Sequence, residues 1–261
     1  MRAALAKLKA GTEELNYGRD VIAAMARRHA SSLPGGPLRV LDLGLGSGAD
    51  LENVRAALAP RTLHLFGVDT YEPNVLAARE RGVAVTSLNI EREALPYEDG
   101  AMDLVIANQI LEHTKEIYWI VSEVGRVLKP GGALLLGVPN LASLHSRVML
   151  LCGMQPSPVD VLGPHVRGFT RNGLSAFLRE GGFFEVEEWG GSNFYPLPAI
   201  FAKPLARCLP SFAVSLFMRC RRTDRAGRFI EVLQARSFET PFFAGAEGKG
   251  RDAIKRDAKR D

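Results

Sequence analysis

The run VLDLGLGSGA, Val40 to Ala49, decides the fold of this 261-residue chain. Its first half continues an apolar stretch, Leu38 to Leu43, of the kind that forms a buried strand. Its second half sets glycine at alternate positions, Gly44, Gly46 and Gly48, before a helix opens at Ala49. Strand, glycine bend and helix N-terminus in succession make a ligand-binding corner. Glycine lets the backbone turn tightly and approach a ligand with no side chain between, and the helix start carries partial positive charge. A dinucleotide fingerprint, GxGxxG, needs its third glycine three positions after the second, and here it comes after two. Asp42 adds a carboxylate at the end of the strand, which repels a pyrophosphate and suits an amino group.

In these residues, DxGxGxG, the sequence resembles the class I S-adenosylmethionine (SAM)-dependent methyltransferases, whose cofactor carries an amino group and a sulfonium but no phosphate. The resemblance extends to LPYEDGAMDLVIANQILEH, Leu95 to His113, around a fourth strand, and to EVGRVLKPGG, Glu123 to Gly132, behind it. It implies an α/β fold: a Rossmann-like, seven-stranded, mostly parallel sheet with an antiparallel last strand and helices on both faces. The expected organisation is a helical cap over residues 1–36, a SAM-binding domain over 37–222 with an insertion at 139–168, and a C-terminal extension, partly disordered, over 223–261.

Outward from the bend, a helix over Ala49 to Leu58 leads to a second buried strand, Leu63 to Val68, ending at Asp69. A carboxylate at that point faces a bound ribose and accepts from its hydroxyls. A helix follows from Glu72, with Pro73 suited to its first turn, and then a third strand, Val83 to Leu88. Asn89 and Ile90 stand where the resembling family has the acidic and apolar pair that grips adenine. The change to Asn is mild, since an amide oxygen still accepts from an amine. The fourth strand, Met102 to Ala107, delivers Asn108 to the same edge. Ile117, Ile120, Val121, Val124, Val127 and Leu128 fit one helical face, and a turn through Lys129-Pro130-Gly131-Gly132 opens a fifth strand, Ala133 to Val138. Ligands of such sheets bind beyond the carboxyl ends of the strands, where Asp42, Asp69, Asn89 and Asn108 converge.

The insertion contains a helix, Leu141 to Leu151, whose Leu141, Leu144, Val148 and Leu151 either pack on the sheet or cover an apolar substrate. Phe169 and Thr170 supply a staple and N-cap for the next helix, and Phe183 to Trp189 and Ala213 to Cys220 read as the last strands. Methyl transfer from a sulfonium is an in-line displacement that needs alignment rather than a metal, so no metal site is expected. A hydroxyl acceptor benefits from a base. The resemblance places His113, after the fourth strand, and His165, in HxRxFT at the far rim, as the candidates. It also puts Tyr17 and Arg19, ahead of the first helix, beside the cofactor, while Arg167 pairs with an acidic substrate group or a surface carboxylate.

Net charge is +4, and residues Arg219 to Asp261 hold 12 basic against 7 acidic residues, so the body is nearly neutral. That disfavours nucleic acid as a partner of the core. Three cysteines without metal spacing indicate reduced thiols, and neither a secretory pattern nor a spanning run is present, which points to the cytoplasm. The apolar region Phe194 to Met218 is interrupted by four prolines. Together with the leucine-rich insertion it suggests a small-molecule or lipid-linked acceptor, with peripheral membrane contact as a further partner. Two other functions compete with a methyltransferase: a non-catalytic SAM-binding regulatory subunit, and an NAD(P)-dependent reductase on the same sheet, which the glycine spacing disfavours.

Overall fold

A computed structural model describes residues 18–195, 197 and 199–245; Tyr17 and the tail after Gly245 lie outside the described residues. Strands β1 (Leu38–Leu43), β2 (Leu63–Asp69), β3 (Ala84–Ser87), β4 (Met102–Asn108) and β5 (Leu128–Pro139) pair in parallel. β7 (Ser215–Arg222) inserts antiparallel between β5 and β6 (Phe184–Ser192), giving the order β3-β2-β1-β4-β5-β7-β6. The expected Rossmann-like sheet is the observed fold.

The central strands read as continuous apolar runs because both of their faces are covered. Side chains alternate across a strand. On one face Val40, Leu104, Ile106 and Leu135 meet Ile22 and Met25 of α1 (Arg19–Ser32), Leu51 and Val54 of α2 (Ala49–Leu58) and Val75 of α3 (Glu72–Glu80). On the other, Leu41, Val105 and Leu134 pack against α4 (Ile117–Val127), which is buried at every position but Arg126.

Several local features depart from the sequence reading or decide between alternatives it left open. β5 begins at Leu128 rather than after a turn, because Leu128 pairs with Met102 before Lys129 to Gly132 bulge out and pairing resumes at Leu104 with Ala133. α5 (Leu144–Leu151) starts three residues late. Asn140 is engaged elsewhere, its amide donating to Ser211 and Ala213 carbonyls (2.9 and 2.8 Å), and Ser143 becomes the N-cap. The apolar face of α5 does not pack on the sheet: Ser146 is its one buried residue, and Leu144, Val148 and Leu151 are exposed. After α6 (Arg171–Arg179), capped by Thr170 as expected, and β6, the apolar region forms a further helix, α7 (Ala199–Cys208), with Pro204 inside it.

The chain after β7 turns back over α4. Phe229 is buried, Phe242 meets Tyr118 edge-on at 4.9 Å between centroids, and Phe243 meets Trp119 at 5.1 Å.

Tight packing at the β4–β5 edge yields a prediction. A Cβ on Gly137 would lie 2.1 Å from Asn108 Oδ1 and 2.7 Å from the Phe217 ring. Gly137→Ala is expected to lower unfolding free energy in urea titration by about 1–3 kcal/mol, the usual cost of overpacking.

Candidate active site

The penultimate residue of β1 is a carboxylate that the fold leaves in an unusual state. Asp42 is 2% exposed, and its Oδ2 has no hydrogen-bond partner among the described residues. Burial is the main force holding this carboxyl well above the usual range. The negative charges of Asp50 and Asp69 add to it, and Arg19 opposes.

The glycine bend sits directly after Asp42. Gly44, Gly46 and Gly48 all take left-handed backbone conformations, with φ of 62°, 52° and 76°. A Cβ on Gly44 would also strike Ile110 Cδ1 at 2.5 Å. The bend's amides turn toward β2. Gly44 and Leu45 N–H donate to the Val68 carbonyl (2.8 and 3.2 Å), and Gly46 N–H to Asp69 Oδ2 (2.9 Å). Three donors that a phosphate would seek are thus spent within the chain.

Asp69 is fixed from three sides: Tyr71 N–H donates to Oδ1 (2.8 Å), and Asn74 Nδ2 (3.1 Å) joins Gly46 N–H on Oδ2. Asn108 comes to the same edge, its Nδ2 donating to both oxygens of Asp50 (3.3 and 3.2 Å), and Arg19 Nε lies 4.0 Å from Asp50 Oδ2. Asp50 was not singled out in the sequence. Its signal was an acidic residue in the first turn of α2, which is also the usual helix-start preference and so drew no attention. The carboxyl of Asp50 is raised by burial, against the pull of Asn108 and Arg19.

Asn89 is exposed at the end of β3 and closes a turn, its Oδ1 accepting Glu91 N–H at 2.9 Å; Ile90 is half-buried against the core. Glu91 is committed to the Lys115 and Glu116 amides (3.0 and 3.1 Å).

Across the edge, β4 runs through Gln109, at φ 57°, into a 3-10 turn over Leu111–His113. This turn buries Glu112, at 1% exposed, with neither carboxylate oxygen in hydrogen-bonding geometry with any described residue. Burial lifts its carboxyl to about 7, its own backbone N–H pulling weakly the other way. Val166 N–H donates to the Glu112 carbonyl (2.8 Å) and clamps the insertion onto the turn. That bond brings His165 to His113, with ring centroids 4.8 Å apart. Burial, first, and His165 lower the His113 imidazole, which the Pro164 carbonyl partly offsets. Arg167 serves the chain itself, donating to the Thr114 and Lys115 carbonyls (3.1 and 2.7 Å). A shallow concavity lined by Arg179, Phe184 and Thr223 lies at the amino end of β6, the opposite edge of the sheet from these residues.

The sheet edge at β1 therefore offers buried negative charge and few free amides, which fits a nucleoside carrying cationic groups and not a pyrophosphate. A family profile described as "Methyltransferase domain" matches residues 41–136, the segment holding the bend, Asp69, Asn108 and the Glu112 turn. The chain is 32% identical over 169 residues to a ubiquinone biosynthesis O-methyltransferase of Pseudomonas aeruginosa, covering 61% of this chain and 69% of the relative. It is 30% identical over 179 residues to a probable S-adenosylmethionine-dependent methyltransferase of Mycolicibacterium smegmatis, covering 68% and 63%. Among solved structures, a SAM-dependent methyltransferase of Mesorhizobium loti shares the fold with a TM-score of 0.53 and 20% identity, over 80% of this chain and 99% of that one. This chain belongs to the class I SAM-dependent methyltransferases, enzymes whose cofactor is SAM. It spans 31% to 63% of the length of several curated relatives it matches.

The state of Asp42 has a measurable consequence. A carboxyl raised above its unfolded value costs nothing when protonated, so the folded state is penalised as pH climbs from about 4 toward neutrality. Asp42→Asn removes the penalty. Without cofactor, its melting temperature is expected to exceed that of the native chain at pH 7, with the gap closing as pH falls below about 4.

Proposed function

We propose that this chain transfers a methyl group from SAM to an oxygen of a small-molecule or lipid-linked acceptor. The observation that carries this reading is the buried Asp42 carboxylate beside the glycine bend, with its Oδ2 unpartnered among the described residues, since a cationic ligand relieves its penalty and a phosphate worsens it. When bound, SAM supplies a methyl on a positive sulfur, and transfer to the acceptor oxygen returns the C–S electron pair to sulfur.

The chain's residues do the binding and positioning. Gly44, Gly46 and Gly48 keep the floor of the hollow free of side chains. Asp42 faces the cofactor's amino group. Asp69, already held by three donors, accepts from the ribose hydroxyls. The second lone pair of Asn89 Oδ1 takes the adenine amine while Ile90 lies against the ring, and Asn108 closes the edge between Asp50 and β4. His113 or His165 takes the acceptor's hydroxyl proton. Most of the acceleration comes from alignment.

Oxygen as the acceptor atom is supported by the names of relatives that are O-methyltransferases, those of ubiquinone biosynthesis and of malonyl-[acyl-carrier protein]. An apolar or lipid-linked acceptor is supported by the exposed Leu144, Val148 and Leu151 of α5 and by Val161 and Leu162 beyond it. Free cysteines, Cys152 and Cys208 exposed among them, support a reducing, cytoplasmic setting. Among the described residues no helix is long and apolar enough to cross a membrane.

Calorimetric titration tests the cofactor roles. Asp69→Ala is expected to weaken SAM binding about tenfold or more, the value of hydrogen bonds to a charged group, while NAD(P)H gives no heat with either protein. Unchanged SAM affinity in the variant would remove Asp69 from the ribose.

A further inference from the structure

We propose that Glu112, His113 and His165 form a binding site for a divalent first-row transition-metal ion, beside the cofactor hollow. One donor atom from each of the three lies within 4.8 Å of the others. Glu112 Oε1 and His113 Nε2 are 4.0 Å apart.

Three features separate this cluster from a chance meeting of polar side chains. First, the Glu112 carboxyl is buried with neither oxygen hydrogen-bonded among the described residues, an arrangement that is costly for the charged form unless a cation completes it. Second, each imidazole is turned by a backbone carbonyl. His113 Nδ1 lies 3.4 Å from the Pro164 oxygen and His165 Nδ1 lies 3.1 Å from the Pro158 oxygen. An Nδ1–H donated to a carbonyl fixes the tautomer that leaves Nε2 with its lone pair, the usual outer-shell arrangement of a ligating histidine. Third, His113 is exposed and His165 half-buried, so an ion enters from solvent on the imidazole side and meets the carboxylate at the bottom.

Donors around such an ion sit roughly 2.0–2.2 Å from it, so they must close by about an ångström from the separations seen, within reach of side-chain rotation. Two imidazoles and one carboxylate suit zinc, iron, cobalt or nickel better than magnesium or calcium, which take oxygen ligands. Three protein ligands leave coordination positions open. Ile110, two residues before Glu112, has its Cδ1 against the Cβ position of Gly44, so the turn that carries the cluster adjoins the glycine bend. If the methyl-transfer reading holds, an acceptor hydroxyl would fill an open position and its proton, acidified by coordination, would pass to solvent water, with the imidazoles serving as ligands in place of the base role. Ion binding itself does not depend on that reading.

The test is a Co2+ titration of the full chain, free of any affinity tag, followed by visible absorption. About one equivalent is expected to bind with d–d bands and without thiolate charge-transfer absorption. Glu112→Gln, His113→Ala and His165→Ala should each weaken binding about tenfold or more, and His145→Ala should leave it unchanged. SAM titration of the same samples reports the cofactor hollow separately, so intact SAM binding without cobalt uptake overturns the metal site alone. Failure of the native chain to bind Co2+, or binding that survives all three substitutions, overturns the proposal.

Discussion

A carboxylate buried at the centre of a parallel sheet edge is the constraint around which this molecule is arranged. Asp42 has its charge held in a poor solvent, with two further aspartates adding to the repulsion and Arg19 as the opposing charge. Nothing in the packing of β1 requires an acidic residue there, and an apolar one would be more stable. On the proposed reading, the penalty is relieved when a ligand of opposite charge occupies the edge. The neighbouring bend follows the same logic: its left-handed glycines bring the backbone past Ile110, and its amides close onto β2, so the hollow keeps its negative character. Stability given up at a binding edge is recovered in the doubly covered strands behind it.

What the sequence disclosed was local in the chain. β1, β2, β4 and α4 announce themselves through runs of Val, Leu and Ile with the right period. Asp42, Asp69 and Asn108 follow as the residues at which those runs end. Asn89 is a harder case, since the same amide oxygen that would serve adenine also closes a turn onto Glu91. What stayed hidden depends on contacts between distant segments. The hydrogen bond from Val166 N–H to the Glu112 carbonyl joins residues more than fifty positions apart, and no pattern around either of them announces it. Glu112 lies inside the segment that carries the family resemblance, but its burial, and the lack of a partner for its oxygens among the described residues, follows only from the fold. α7 was masked by Pro196, Pro198 and Pro204, which argue against a helix in isolation, whereas Ala202 and Ala206 pack into a small cluster with Phe194 and Ala213 that outweighs that preference.

The segment after β7 shows how an aromatic-rich stretch is used when a helix offers an outer face. Tyr118 and Trp119 are buried in part by Phe242 and Phe243, and the backbone of Phe243 donates to the buried Glu116 carboxylate. The outer side of α4 is therefore finished by the chain's own extension, and its inner side packs on the sheet.

The facing histidines come from different kinds of structure. His113 belongs to the turn after a core strand, and His165 to a loop added between β5 and α6, tied down by the Val166 N–H and by the Arg167 guanidinium. Replacing that loop would remove His165 and leave β1, the glycine bend and His113 in place, because none of the sheet's strands passes through it.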